Sequence, residues 1–572
     1  MKRREFLLLS SATILLGVWG CTSPILRPQS PEASLEEVMQ SETDYASKFT
    51  QPHGLNYVQI EAVSLATGLA GSGEDPPATP QRAALLAEMA KNDVERPNEI
   101  LASLDTALIL VRGYLRPGIK QGERFDVEVR VPARSETTSL RGGWVLPARM
   151  TEMAVLDSQI RQGHVLGMAE GPILVDPSAK SETDTALSTR GRILGGGVAT
   201  KSRPLGLIIS REYKSIRLSQ EIAKCVNDRF HAFRNGRKEG VAVPKTDEFV
   251  ELQIDDRYKE NVGRFMRIIR HLAVNELPAK RQARIQLLGQ QLLDPLTAAT
   301  AAMRLEAIGD PQAIEVLKTG VASSDPEVRF YSAEALAYLD ETAAVKPLAE
   351  AARDEPAFRV NALAALSVMD DVVAYDELRS LLEATSAETR YGAFRSLWSM
   401  NANDALVRGE MLGGQFSYHI LDITGPQMVH VTRSFRPEIV LFGADQQLKL
   451  PLVLDAGKNI LVNGMSGEQV TISRFMPGMP PEKRVVSTSV DEVIRTIVEL
   501  GGAYPDVVQA LQQAKTDGAL TSRFRIDALP EVGRDYDRTD SSSADEKSDE
   551  EPETGGNYRV GTPLPDLFSE KR

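Results

Sequence analysis

The sequence predicts an α+β protein interrupted by an all-α helical repeat and closed by a disordered acidic C-terminal tail. Three observations lead there. Strand-like runs with glycine-marked turns cluster between Asp105 and Val175, an alanine-rich stretch from about 294 to 403 repeats every 30 or 31 residues, and from Asp535 onward Asp, Glu, Ser and Gly displace apolar residues. A chain of 572 residues exceeds one compact core and suggests roughly three or four units. Net charge of −13 argues against nucleic-acid binding, which needs a basic field.

Residues 1–21 have the layout of an export signal: Lys2, Arg3 and Arg4, an apolar run from Phe6 to Gly20, then Cys21. The run is shorter than the ~20 residues that span a bilayer, so cleavage is expected. Val18-Trp19-Gly20-Cys21 resembles a bacterial lipobox, implying a lipid on Cys21; the alternative is a soluble periplasmic protein cleaved nearby. Arg3 and Arg4, followed by Glu5-Phe6-Leu7, also resemble the twin-arginine consensus, and a general secretory signal remains equally open. A polar linker is expected over residues 22–52.

Asp105 to Val111 is an apolar run of strand length, and Phe125, Val127, Val129 and Val131 alternate with other residues at the period of a half-buried strand. Arg116-Pro117-Gly118 and Gly122 between them supply turn chemistry. Ser139-Leu140-Arg141-Gly142-Gly143 then precedes another apolar strand, its paired glycines suited to positive φ or close backbone approach.

Together these residues resemble the flagellar basal-body P-ring protein family. The resemblance rests on Arg116-Pro117-Gly118, on Gly122 with Phe125-Asp126-Val127-Glu128-Val129, and on Ser139 to Gly143. Upstream, Thr67 to Asp75 is similar to the family's glycine-rich segment, with Gly71, Gly73 and Asp75 at its motif positions. A phosphate-binding loop is disfavoured there, because no Lys-Ser/Thr follows the glycines. Downstream, Ser489 to Ile526 resembles the family's C-terminal helical pair, including the Gly502 to Asp506 turn and the closing Gly518-Ala519-Leu520. The resemblance implies a discontinuous P-ring-like domain, its first part at 53–285 and its last within 410–531.

Within the first part, helices are expected after Pro80, over Leu218 to Phe233 and over Val262 to Leu272, the last with basic residues on its outer face. Leu205 to Ser210 and Phe249 to Ile254 read as strands. Cys225 is the only other cysteine, so a lipidated chain cannot form an internal disulfide, and Cys225 is expected to be a small apolar packing residue. Over 290–405, Arg329, Arg359 and Arg390 stand 30 and 31 residues apart, and Leu305, Leu336, Leu366 and Leu397 keep the same interval. This resembles HEAT-like repeats, whose helix pairs cannot bury their own faces and must stack into a solenoid. The arginines are expected to pair with acids of neighbouring repeats, or alternatively to bind an anionic partner. Because P-ring-like sequence resumes afterwards, the solenoid reads as an insertion. The β-rich stretch between Gly413 and Met479 has no assignable fold. Residues 535–572 read as an unstructured tail, with Leu564 to Phe568 as a less favoured docking peptide.

No histidine has metal-ligand spacing and no nucleophile motif is present, so neither cofactor nor catalysis is expected. The resemblance implies a structural, non-enzymatic lipoprotein of the periplasm and flagellar basal body, held to the outer membrane by its lipid. It would form a homo-oligomeric ring around the flagellar rod, touching rod and L-ring proteins, with peptidoglycan a further candidate and no nucleic acid. The inserted solenoid would project from that ring. The competing expectation is an envelope lipoprotein scaffold that binds proteins through its repeats and has no part in motility.

Overall fold

One phenylalanine organises the first sheet of the computed structural model, which describes residues 43–156, 159–176, 184–234, 237–476, 478–537 and 557–567. Strands Val58–Thr67, Thr106–Leu115, Arg124–Arg130, Trp144–Leu156, Gln159–Pro172 and Arg190–Ala199 pair antiparallel. Arg124–Arg130 also bonds Arg190–Ala199, so the sheet closes into a barrel. Inward positions alternate along every strand, and Ile60, Ile109, Val111, Val127, Val129 and Val145 fill the interior. Phe125 is the bulky occupant, accommodated by glycines on three other strands. A Cβ on Gly113, Gly167 or Gly197 would lie 2.6, 2.9 or 2.4 Å from its ring. Gly197→Ala should therefore cost about 1–3 kcal/mol through overpacking, and Phe125→Leu in the same chain should recover part of it. Urea denaturation of the single and double variants checks this; a neutral single variant would mean the ring lies elsewhere.

Helix Pro80–Lys91 lies on the barrel's outer face, where Leu85 and Met89 pack with Leu65 and Leu108. A second sheet orders Thr50–His53, Leu205–Ile209, Phe249–Leu252 and Ala242–Pro244 against helices Ile216–Arg229 and Val262–Arg270. The expected linker therefore ends earlier than residue 52. Ala46–Phe49 is helical, Ala46 N donates to Leu272 O, and Thr50–His53 is a paired strand. Cys225 is half-buried, its thiol donating to Ala273 O at 3.2 Å.

Four antiparallel helix pairs follow, from Pro278–Leu292 with Ala298–Ile308 to Val372–Leu381 with Ala387–Met400. Leu305, Leu336, Leu366 and Leu397 are all buried, so the leucine interval marks the seam between stacked pairs. The arginines do something other than form the expected ladder of acid pairs. Arg329 donates to Ser323 O and Ser324 O, Arg359 to Ala352 O and Arg353 O, and Arg390 to Leu382 O. Each closes the C-terminal end of the helix before it, where carbonyls lack partners and positive charge is favoured. Only Arg359 also reaches an acid of the next repeat, Glu388 at 3.2 Å.

The region without an assignable fold forms two sheets. In the first, Glu410–Leu412, Phe416–Leu421, Glu438–Phe442, Met428–Val431 and Arg523–Ile526 lie in that order. Its central strand Glu438–Phe442 is buried throughout: Val440 and Phe442 join the solenoid's core, while Ile439 and Leu441 join that of helices Val490–Glu499 and Tyr504–Thr516. The second sheet is an antiparallel meander of Leu452–Ala456, Ile460–Gly464, Gln469–Arg474 and Glu482–Ser487.

Packing bears on two expectations. The solenoid is not a free-standing insertion. It shares one core with the second sheet at its start and meets the five-stranded sheet at its end. Nor is the tail unstructured where it is described: Asp535–Asp537 pairs with Asn557–Arg559, and residues 561–567 lie against the solenoid. Cys21, Arg3 and Arg4 lie outside the described residues. No helix among the described residues is long and apolar enough to cross a membrane.

Candidate functional site

The motif residues collect at two places where parts of the chain distant in sequence are tied together. At one end of the barrel the glycine-rich loop and the Ser139 loop interlock. Ser72 donates through its hydroxyl to Ser139 O, and Thr138 N donates to Ser72 O. Gly71 N donates to Asp105 Oδ1 at 3.0 Å, and Gly73 lies so close to the next strand that a Cβ would sit 2.0 Å from Thr106 O. Asp75 pairs with Arg82 at the start of the barrel's covering helix. Leu140 is fully buried in the barrel core, and Gly142 takes a left-handed φ of 75°. Arg141 reaches Asp176 O at 3.4 Å within its own fold. Lys458, from the far side of the solenoid insertion, enters this knot and donates to Leu69 O at 2.6 Å.

The other place lies along the barrel wall. Arg116 pairs with Glu123 at 2.7 Å across the Pro117-Gly118 and Gly122 turn, and a Cβ on Gly118 would meet Ile254 at 2.6 Å. Asp126 accepts from Gly195 N at 2.7 Å and from Phe435 N, a backbone amide 309 residues away. Phe435 has a φ of 67°, a left-handed conformation uncommon for a bulky residue, and the carboxylate holds its amide in place. Burial pushes the Asp126 carboxyl up to about 6, against the two amides that hold it down. Beside it, Leu174 and Leu194 of the barrel region are buried in the same core as the helices of 490–516. Gly518, with a φ of 77°, ends the second of those helices; Ala519 O accepts from Lys449 N, and Leu520 bridges Leu448. The barrel region and the segment after the solenoid therefore share apolar packing and polar bonds.

Two buried charge clusters fix the solenoid between them. Arg264, fully buried rather than on a solvated basic face, bonds Glu306 at 2.5 Å and Glu334 at 2.8 Å. At the opposite end Glu438 takes bonds from Tyr391 at 2.7 Å and Arg395 at 3.1 Å. Burial opposes the Glu438 charge, yet Arg395 and Arg436 hold its carboxyl down to about 2. His430 stacks on Tyr391, accepts from Ala528 N, and is kept neutral by burial, down to about 3. Both folded values lie below the ordinary ones, so each contribution is complete above the unfolded pKa and is lost as pH falls toward the folded value. Stability should thus decline from near pH 6.5 downward, first through His430 and then, below about 4.5, through Glu438. Denaturation midpoints at pH 7, 5 and 4 check this, and His430→Gln should flatten the upper part of the slope.

No group of His, Cys, Asp and Glu among the described residues could hold a metal ion. The geometry is that of tie points and cores. Residues 47–287 match the family model of the flagellar P-ring protein, and residues 285–369 match that of HEAT repeats. The chain is similar to flagellar P-ring proteins, with HEAT-like repeats following that similarity. The flagellar P-ring protein of Thermotoga maritima is 22% identical over 232 residues, covering 39% of this chain and 64% of that protein. The chain thus spans a little under two thirds of that relative's length. The P-ring match ends before the C-terminal segment, whose likeness rests on its own motif residues.

The sequence did not single out Lys458, Phe435, Leu174 or Arg264. Arg264 had a detectable signal: it is a cation within a helix whose neighbours Phe265, Met266, Ile268 and Ile269 are all buried.

Proposed function

We propose that this chain is a non-catalytic structural subunit of a periplasmic ring around the flagellar rod. The observation that carries the reading is the seam at Asp126, Leu174 and Lys458, which makes one body from a P-ring-like barrel and a C-terminal piece bearing the resembling helical pair. A ring of identical subunits needs heterologous contacts whose rotation closes. The strand Glu482–Ser487 at the edge of the second C-terminal sheet is largely exposed, with Phe475, Met476 and Met479 exposed before it, a surface suited to such contact. Rod and L-ring proteins are the partners in this reading, peptidoglycan a further one, and a lipid on Cys21 ties the ring to the outer membrane. Electron microscopy of basal bodies from a deletion strain tests it: the ring at this level should be missing, and an intact ring would refute the assignment. Absence of rod, hook and L-ring genes from the genome would instead favour the scaffold alternative.

A further inference from the structure

A stacked-helix solenoid ordinarily leaves one face open, but here that face is filled from within. In helix Pro326–Tyr338 every residue except Pro326 and Arg329 is buried, and all of Arg359–Ser367 is buried. The cover is the chain's own C-terminal stretch: Pro530 lies against Gly392, Tyr536 stacks on Phe358 at 4.9 Å, and residues 561–567 continue toward the first repeats.

The last segment is held through its backbone. Asn261 and Asn361 both donate to Pro563 O, at 3.1 and 3.3 Å, and Asn361 also reaches the Thr562 hydroxyl. Tyr331 accepts from Gly561 N, and Val262 N, at the start of its helix, donates to Asp566 Oδ2. Thr562 and Leu567 are buried, while Leu564 is 44% exposed. Asn261 and Asn361 are themselves 1% exposed and aim their amides at the segment's backbone. These are the features of a peptide site: backbone bonds set the register, and the side chains of Thr562 and Leu567 are buried against the groove.

We infer that this groove is an exchangeable peptide site whose other occupant is the 561–567 segment of a second copy of the chain, carried across together with strand Asn557–Arg559. Residues 538–556 join Asp537 to Asn557, two residues that are direct partners across an antiparallel strand pair. A tight turn would close that gap, yet 19 residues are supplied, enough to span on the order of 60 Å when extended. Contacts within one copy and between copies are identical, so the choice between them follows effective concentration, which is high for subunits held side by side. The exchange rests on the ring reading only for what brings copies together, and its failure would leave that reading standing.

A Cβ on Gly263 would lie 3.3 Å from Pro563 Cβ, close to disulfide geometry, and cysteine at 563 keeps the carbonyl that both asparagines bind. Chains carrying Gly263→Cys alone and Pro563→Cys alone, both in a Cys21→Ser, Cys225→Ser background, are co-expressed and treated with a mild oxidant. A covalent dimer on a non-reducing gel is expected, and Asn361→Ala in the Gly263→Cys chain should reduce it several-fold. If the double variant closes only within its own chain and the mixed single variants give no dimer, exchange is refuted. If the double variant does not close at all, the docked segment itself is refuted.

Discussion

Replacing Arg264 by alanine is expected to destabilise the protein by about 3–5 kcal/mol, because it strands two buried carboxylates that no water can reach. Arg264, Glu306 and Glu334 are all between 0 and 1% exposed as side chains, and Tyr258 donates to Glu306 at 2.7 Å. Burial works against the guanidinium charge, but the two carboxylates bind its proton more tightly than water would. Arg264→Met with Glu306→Gln and Glu334→Gln should recover most of the loss, since neutral amides left in the cavity need far less solvation than ions. Arg257 provides the control. It bonds Asp340 at 3.0 Å with both side chains about one third exposed, and Arg257→Ala should cost under ~1 kcal/mol. Urea midpoints of the variants decide the matter, and equal losses at Arg264 and Arg257 would show that the cluster is not sealed from solvent.

Above its folded pKa of about 6, where the carboxyl is ionised in both folded and unfolded chains, Asp126→Asn should cost about 2–3 kcal/mol, the range for a hydrogen bond to a charged group that leaves a buried donor unmatched when lost. The two carboxylate oxygens face two N–H donors, Gly195 and Phe435. An asparagine turns its own NH2 toward one of them, so a donor meets a donor. The pH dependence runs opposite to that of Glu438 and His430. The folded carboxyl is raised from an ordinary 3.8 to about 6, so the native state holds a proton that the unfolded chain has released. That contribution is full below about 3.8 and is lost as pH rises through about 6. The stability gap between the native chain and Asp126→Asn should therefore narrow between pH 4 and pH 6.5, read from denaturant midpoints.

The helical repeat was legible because its signal is periodic: the same leucine and arginine recur each turn of the register, and the structure buries those leucines where stacked pairs meet. Barrel strands were legible from alternation at Phe125 to Val131 and from the glycines that mark their turns. The seam was not. Asp126 stood out by its motif, but its distant partner is the backbone amide of Phe435, and an amide carries no residue-type signature. Arg264 reads as one more cation on an amphipathic helix until Glu306 and Glu334, on two other helices, close over it. The tail misled for a related reason. Composition between residues 538 and 556 predicts no core, yet the few residues after it include Thr562, Pro563 and Leu567, which use a core built by other segments.

Hydrogen exchange at the Phe435 amide tests the central claim, that two distant stretches form one body, most directly. In the intact chain this amide should exchange orders of magnitude more slowly than an open loop would, and Asp126→Ala should release it while the barrel strand Thr106–Leu115 stays protected. Exchange at the unprotected rate in the native chain would contradict the seam and, with it, the discontinuous subunit.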